Sequence, residues 1–218
     1  MRYEQEREQI INSCIRMCDD QLTLGTSGNV SIRIGDHIVI TPSAVPYPEL
    51  TPDMVPIIDL EGNVIEGAFK PSSETPLHTL LYRETDAQAI VHTHPIYGVV
   101  LGTLRRETPL IHYMLAPMGG AVRVAPYAQF GTQELADNVL AAAKGRSAVL
   151  MENHGAIAWG KDLASAYSKC AYLEWCCEVW CKAAAIGDPH LLSTKQVESV
   201  VQELASYSPI ADTPQREV

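Results

Sequence analysis

Apolar positions near the start of the chain recur at three- and four-residue steps: Ile10, Ile11, Cys14, Ile15, Cys18 and Leu22. That period marks one face of an α-helix, so a helix is predicted over about residues 4–22. The period then drops to two. Val30-Ser31-Ile32-Arg33-Ile34 and His37-Ile38-Val39-Ile40 alternate around Gly35-Asp36, the pattern of two strands joined by a tight turn. Residues 55–59 and 64–66 read as two more strands, flanking the turn residues Glu61-Gly62-Asn63. Pro71-Ser72-Ser73-Glu74-Thr75-Pro76 opens a helix running to about Arg83, with Ser73 as its N-cap and Pro76 in its first turn.

Farther along, Ala89-Ile90-Val91 is an apolar run leading into His92-Thr93-His94, broken by Pro95 and followed by a short helix to about Leu104. Ile111-His112-Tyr113-Met114 and Ala121-Val122-Arg123-Val124 read as short strands, and residues 132–144 as a helix stopped by Gly145. Residues 147–159 form two strands around Asn153-His154-Gly155, and residues 162–186 a long helix ended by Gly187-Asp188-Pro189. Ser193-Thr194-Lys195-Gln196 is a capping box opening a last helix, and the tail after Tyr207 is expected to fray or to reach a neighbour. The elements sum to an α/β chain with a mostly antiparallel sheet and helices on both sides. No repeat or linker divides residues 1–218, so a single domain is expected.

With 46% apolar residues among 218, the chain can bury one sizeable core. A net charge of −10 argues against nucleic acid, whose phosphates need a basic surface. No apolar run reaches the length of a membrane span, and residues 1–7 are charged with no apolar stretch of the secretory kind. The expected protein therefore binds neither nucleic acid nor membrane and resides in the cytoplasm. In that compartment six cysteines do not suggest disulfides. Cys14/Cys18 and Cys177/Cys181 are each four apart on predicted helices, where they read as small apolar residues, and no C-x-x-C pair suggests a zinc knuckle.

Candidate chemistry changes this picture. Two histidines one residue apart on a strand project from the same face. With His154 delivered by another strand end, His92 and His94 supply three neutral nitrogen ligands and leave a fourth position open, as catalytic metal sites require. The plainer alternative is three unrelated histidines. Gly25-Thr26-Ser27-Gly28-Asn29 is a turn whose small residues let backbone N–H groups approach a ligand, with an ordinary turn as the alternative. Thr41-Pro42-Ser43-Ala44, at the end of the second strand, carries no stronger signal on its own. Ser72 and Ser73 bring hydroxyls to a helix N-terminus, where a phosphate is favoured, although simple capping is the alternative. Glu74, in the same first turn, reads either as a helix-dipole partner or as a metal ligand or general base.

Taken in order, Gly28-Asn29, Thr41-Pro42-Ser43, Pro71-Ser72-Ser73-Glu74, His92-Thr93-His94, Ile111-His112-Tyr113-Met114, Ala125-Pro126-Tyr127 with Phe130-Gly131-Thr132, and Asn153-His154-Gly155 resemble the class II aldolase/epimerase family, which includes the adducin head. The likeness runs from the first helix to Tyr207 and is strongest to the branch acting on L-fuculose 1-phosphate. It implies a three-layer α/β/α sandwich and a homotetramer with active sites between subunits. His92, His94 and His154 would hold a divalent metal, zinc first and manganese or cobalt as alternatives, with Glu74 as a resting ligand. Released from the metal, Glu74 would take the C3 proton of dihydroxyacetone phosphate, giving a metal-stabilised enediolate. Gly28, Asn29, Ser43, Ala44, Ser72 and Ser73 would hold the phosphate. Tyr113 of an adjacent subunit would handle the proton on the aldehyde oxygen, and Tyr207 would shape the aldehyde side.

The reaction implied is reversible cleavage of a ketose 1-phosphate to dihydroxyacetone phosphate and a short aldehyde. A pentulose-phosphate 4-epimerase and a sugar-acid phosphate decarboxylase are the alternatives on this scaffold, and a non-catalytic adducin-like module conflicts with a complete ligand set. Ser43-Ala44 stands where that branch has Thr-Gly, and alanine tolerates a positive φ poorly. Glu152-Asn153 replaces Gln-His, and Pro117-Met118 replaces small alanines. Met114, Leu115 and Met118 would suit an apolar substrate tail or, alternatively, pack in the core, so a 5-deoxypentulose 1-phosphate or its methylthio analogue competes with L-fuculose 1-phosphate as substrate.

Overall fold

The computed structural model describes residues 1–206. Eight strands form one sheet: β1 (Asn29–Ile34), β2 (His37–Ile40), β3 (Ile57–Asp59), β4 (Val64–Glu66), β5 (Ala89–Thr93), β6 (Val124–Ala125), β7 (Ala148–Met151) and β8 (Gly155–Gly160). Their spatial order is β4-β3-β2-β1-β5-β8-β7-β6, and only the β6–β7 pair is parallel. Around the sheet lie α1 (Glu4–Asp19), α2 (Thr75–Glu84), α3 (Ile96–Leu104), α4 (Gln133–Ala142), α5 (Leu163–Ile186) and α6 (Thr194–Ser206).

Side-chain alternation on the central strands divides the interior into two layers. Ala89 and Val91 of β5 point to a core shared with Cys14 and Met17 of α1, Leu101 of α3 and Leu173 of α5. Ile90 points the other way, into a core with Leu77 and Leu81 of α2, Leu135 and Val139 of α4, and Trp159. The mixed α/β architecture, with its mostly antiparallel sheet between helical layers, is that expected from the sequence. On α5 the buried positions Ala166, Cys170, Leu173, Cys177 and Trp180 step by three and four, which seats this long helix on β5 and β8. All six cysteines are free thiols. Burial pushes Cys170 and Cys176 up to about 12, so they pack as small apolar groups. Of the pairs read from helical spacing, Cys14 and Cys177 are buried while Cys18 and Cys181 are half-buried.

Three local expectations are corrected. Ile111-His112-Tyr113-Met114 is not a strand: residues Tyr113–Met118 form a 3-10 helix. The His112 side chain caps it by accepting the Met114 N–H, Pro117 lacks the donor a ladder needs, and Gly119 ends it at φ 93°. The strand expected over residues 121–124 is reduced to β6, which pairs only along the end of β7. At the start of α2 the cap position is occupied by Glu74 and not Ser73; Ser72 satisfies the turn, its Oγ accepting Glu74 N–H and its carbonyl accepting Thr75 N–H. The capping box at Ser193 and Gln196 is present as read. Tyr207 and the tail beyond it lie outside the described residues.

The registry of the three central strands determines where chemistry can sit. Asn29 of β1 stands opposite His92 of β5, and Thr93 stands opposite Ala156 of β8. The β7–β8 turn, with Asn153 at φ 54°, therefore closes over the same sheet end. Gly155 begins β8 so close to β5 that a Cβ there would overlap the Thr93 carbonyl oxygen and crowd the His94 ring. Gly155→Ala is thus expected to force the two strands apart and lower the unfolding free energy by about 1–3 kcal/mol, the usual cost of overpacking. A urea titration of the variant beside the wild type measures it.

Candidate metal centre

His92 ends the apolar run of β5 on the side facing α2, His94 follows one residue beyond the strand, and His154 sits in the β7–β8 turn. The three rings meet edge to face, with centroids 4.7, 5.0 and 4.9 Å apart, and their ligand nitrogens lie within 4.8 Å of one another. His92 Nδ1 is 2.9 Å from the Ala156 carbonyl oxygen, which can only accept, so Nδ1 carries a proton and Nε2 is the nitrogen that faces the cluster. His94 Nε2 is 2.9 Å from His92 Nε2.

Glu74 closes the group from the N-terminus of α2. Its Oε2 lies 2.9 Å from His92 Nε2, and its Oε1 lies 3.3 Å from His154 Nε2 without a directed hydrogen bond. Donors held about 2.1 Å from a tetrahedral cation sit about 3.4 Å apart, so these separations suit one divalent ion with little movement. A buried carboxylate oxygen left unbonded beside three converging imidazoles also fits a cation better than a packed core. The donors, nitrogen and carboxylate oxygen, do not choose among zinc, manganese and cobalt.

The electrostatics agree. Burial alone would raise Glu74, but the His92 imidazole beside it, aided by His154 and the Asn29 amide, holds its carboxyl well below the usual carboxylate range. Burial would lower His92, and the Glu74 carboxylate overcomes this and raises it. Burial, followed by the neighbouring imidazoles, lowers His94 to about 3, and burial with His92 lowers His154 to about 4. Two of the three ligands are therefore neutral, and available to a metal, throughout the physiological range.

A cavity of about 330 Å³ opens onto Glu74 and the three histidines. Its walls carry Thr26, Ser27, Gly28 and Asn29 from the turn before β1, Pro42, Ser43 and Ala44 after β2, Ser72 and Ser73, and Phe130. Every phosphate-binding candidate from the sequence is thus gathered in one place. Gly28, at φ 86°, admits no side chain, since a Cβ would lie 2.7 Å from the His92 carbonyl oxygen. Ala44 does adopt the positive φ its sequence made costly, at 60°. The backbone N–H groups of Ser43 and Ser72 are occupied by the Lys70 and Thr41 carbonyls, which leaves hydroxyls as the donors these two serines can offer. Among the described residues neither lysine nor arginine lines the cavity, so an anion there would rely on neutral donors and on any cation held by the histidines. A larger cavity, about 700 Å³ between residues 105–121 and α6, contains none of these groups.

Other candidates lie elsewhere. Tyr113 does not line the cavity; its ring is partly exposed and rests on His112, with centroids 4.3 Å apart. Leu115 and Met118 are buried in the core, and Met114 packs against it, so the apolar-tail reading of these residues fails within this chain. Conversely, sequence reasoning assigned no role to Phe130, which lines the cavity, or to His78, which is fully buried four residues after Glu74. The four-residue step from a candidate carboxylate along a helix was the available signal for His78.

Residues 8–181 match the family model described as Class II Aldolase and Adducin N-terminal domain. The chain is 38% identical over 210 residues to a 5-deoxy-D-ribulose 1-phosphate aldolase of Bacillus thuringiensis, covering 95% of this chain and 99% of that one. It is 39% identical over 202 residues to an L-fuculose phosphate aldolase of Escherichia coli, covering 91% and 94%. A solved L-fuculose 1-phosphate aldolase superposes with a TM-score of 0.91 at 36% identity, covering 94% of this chain and 98% of that structure.

The depressed histidines make a pH prediction. In the unfolded chain a histidine titrates near ~6.5, so between about pH 3 and 6.5 unfolded His94 binds a proton that the folded residue refuses. This contribution to stability is complete above about pH 6.5 and declines as the pH falls. The urea midpoint of the metal-free protein is expected to drop between about pH 7.5 and pH 5, and to drop less in His94→Asn.

Proposed function

Because the chain belongs to the class II aldolase and adducin N-terminal domain family, we infer that its histidine–carboxylate centre performs the reversible cleavage of a ketose 1-phosphate to dihydroxyacetone phosphate and a short aldehyde. The protein is an aldolase, a lyase that forms and breaks a carbon–carbon bond. The observation that carries the reading is the placement of Glu74, ionised and buried, against His92 and His154 at the floor of a cavity walled by hydroxyls and small residues.

His92, His94 and His154, with Glu74 in the resting state, would hold one divalent metal, for which zinc is our first choice. When bound, that ion supplies Lewis-acid neutralisation of the charge that develops on the carbonyl oxygen. Glu74 takes the C3 proton of dihydroxyacetone phosphate in condensation and returns it in cleavage. Its lone pairs are available because its carboxyl stays ionised. Ser43, Ser72 and Ser73, with Gly28, Asn29 and Ala44, seat the phosphate away from bulk water. Phe130 forms an apolar wall on the same cavity.

Tyr113 serves as the acid–base group on the aldehyde oxygen, delivered by an adjacent copy in a homotetramer. Its exposed ring, remote from its own chain's cavity, supports that assignment. Tyr207 would help to shape the aldehyde side. The relatives leave two substrate classes in view, L-fuculose 1-phosphate and the 5-deoxypentulose 1-phosphates with a methyl or methylthio end. Six free thiols, four of them buried and two half-buried, support a reducing compartment, the cytoplasm.

Dihydroxyacetone phosphate release from L-fuculose 1-phosphate and 5-deoxy-D-ribulose 1-phosphate is expected to vanish on chelation and return with zinc. The faster substrate identifies the pocket's preference, and no release from either would redirect the assignment to epimerisation or decarboxylation. Glu74→Gln is expected to lose at least about 100-fold in proton exchange at C3, the usual worth of a general base. Tyr113→Phe should impair cleavage far more than that exchange; equal losses would place Tyr113 in another step.

A further inference from the structure

A single file of buried polar groups runs from the metal centre into the second core. Glu74, His78 and Tyr82 lie four residues apart along α2 and so share one face; Asn29 and Ser31 lie two apart on β1 and share another. The two stripes interlock. Asn29 Nδ2 is 3.2 Å from Glu74 Oε2, and His78 Nε2 is 2.5 Å from Asn29 Oδ1. Ser31 Oγ is 2.7 Å from His78 Nδ1 and 2.7 Å from the Tyr82 hydroxyl. All five residues are buried, His78 and Ser31 completely.

The proton positions follow from one end. A carboxylate only accepts, so Asn29 turns its amide nitrogen to Glu74 and its carbonyl oxygen to His78. That oxygen also only accepts, so His78 Nε2 carries a hydrogen. Burial, opposed only in part by the Glu74 charge, pushes His78 down to about 3, so the ring is neutral and Nδ1 accepts from Ser31. Ser31 then accepts from Tyr82. Every donor in the file points toward Glu74, an arrangement in which each bond strengthens the next.

We propose that His78 is a positioning residue whose Nε2–H, given to the Asn29 oxygen while Ser31 holds the ring at Nδ1, keeps the Asn29 amide nitrogen aimed at Glu74 and so holds the carboxylate ready for the metal and for the C3 proton. Without His78 the Asn29 amide rotates freely, and either its oxygen meets the Glu74 oxygen with repulsion or the donor is lost. The inference rests on the reading of Glu74 as ligand and base. It adds a requirement, a donor at the far side of Asn29, that neither the ligand set nor the phosphate cradle explains.

The test compares full-length His78→Leu, which removes the donor, with His78→Gln, whose side-chain amide can place an N–H where Nε2–H stands. The dissociation constant for Zn²⁺ alone is measured on metal-stripped protein by competition with a coloured chelator. Deuterium exchange at C3 of dihydroxyacetone phosphate is followed on the zinc-loaded enzyme, and urea midpoints monitor folding. His78→Leu is expected to weaken Zn²⁺ binding and slow exchange by about 10-fold or more, the usual cost of removing an outer-shell partner. His78→Gln is expected to recover both to within about 3-fold. If His78→Leu does not fold, Ser31→Ala, which releases the tautomer, should show a smaller loss of the same two properties.

Wild-type zinc affinity and exchange in His78→Leu would overturn the proposal. So would equal losses in both His78 variants, or losses that follow the urea midpoints, since these mark a merely structural role. Unimpaired exchange in Glu74→Gln would instead remove Glu74 as the base, and the zinc titration of the His78 variants would still decide the positioning role.

Discussion

Keeping a carboxylate charged inside the protein is the constraint from which the rest of this structure follows. Glu74 is nearly inaccessible to water, and an isolated charge there would be far too costly to survive folding. It is tolerated because His92, His154 and Asn29 converge on it from three different segments. Those segments must therefore be held in register with the start of α2. His94 and His154, driven toward neutrality by burial, provide lone pairs in place of further positive charge. A buried ionised carboxylate and three converging imidazoles thus result from one arrangement.

The antiparallel pairing of β1, β5 and β8 is what makes the convergence possible. Adjacent antiparallel strands bring residues distant in sequence onto the same rung, as Asn29 meets His92. Alternation then sends Ile90 and His92 toward α2 while Val91 anchors the strand against α5 through its carbonyl, which accepts from the Cys170 thiol. The two cores clamp β5 from both sides, so the histidines at its end stand on a rigid element. By contrast, the adjoining cavity wall is made of turns, where Gly28 and Ala44 take conformations that regular structure does not allow.

Much of this was legible in the chain. The switch from helical to alternating periodicity located the first helix and hairpin, and His92-Thr93-His94 at a strand end indicated a metal site because strand geometry alone puts both rings on one face. The failures share a cause. Ile111-His112-Tyr113-Met114 has strand composition but no neighbouring strand to pair with, and its own His112 and Pro117 bend it into a 3-10 helix. Ser73 has the chemistry of an N-cap, yet the cap position shifted by one to Glu74, whose carboxylate meets His92 and His154. Leu115 and Met118 were equally consistent with a substrate pocket and a core until packing assigned them to the core.

The sequence by itself determined the periodicities, and with them the elements and the chemical types gathered near each turn, because these depend on neighbours within one or two helical turns. Tertiary structure alone decided which of those groups touch. Whether Glu74 is a helix-dipole partner or part of a metal centre depends on contacts with a strand end 18 residues away and a turn 80 residues away. His78 illustrates the limit most clearly. Its type and spacing are visible in the chain, but the direction of its hydrogen bonds is set only when α2 is laid against β1, since a tautomer is chosen by partners and not by the residue itself.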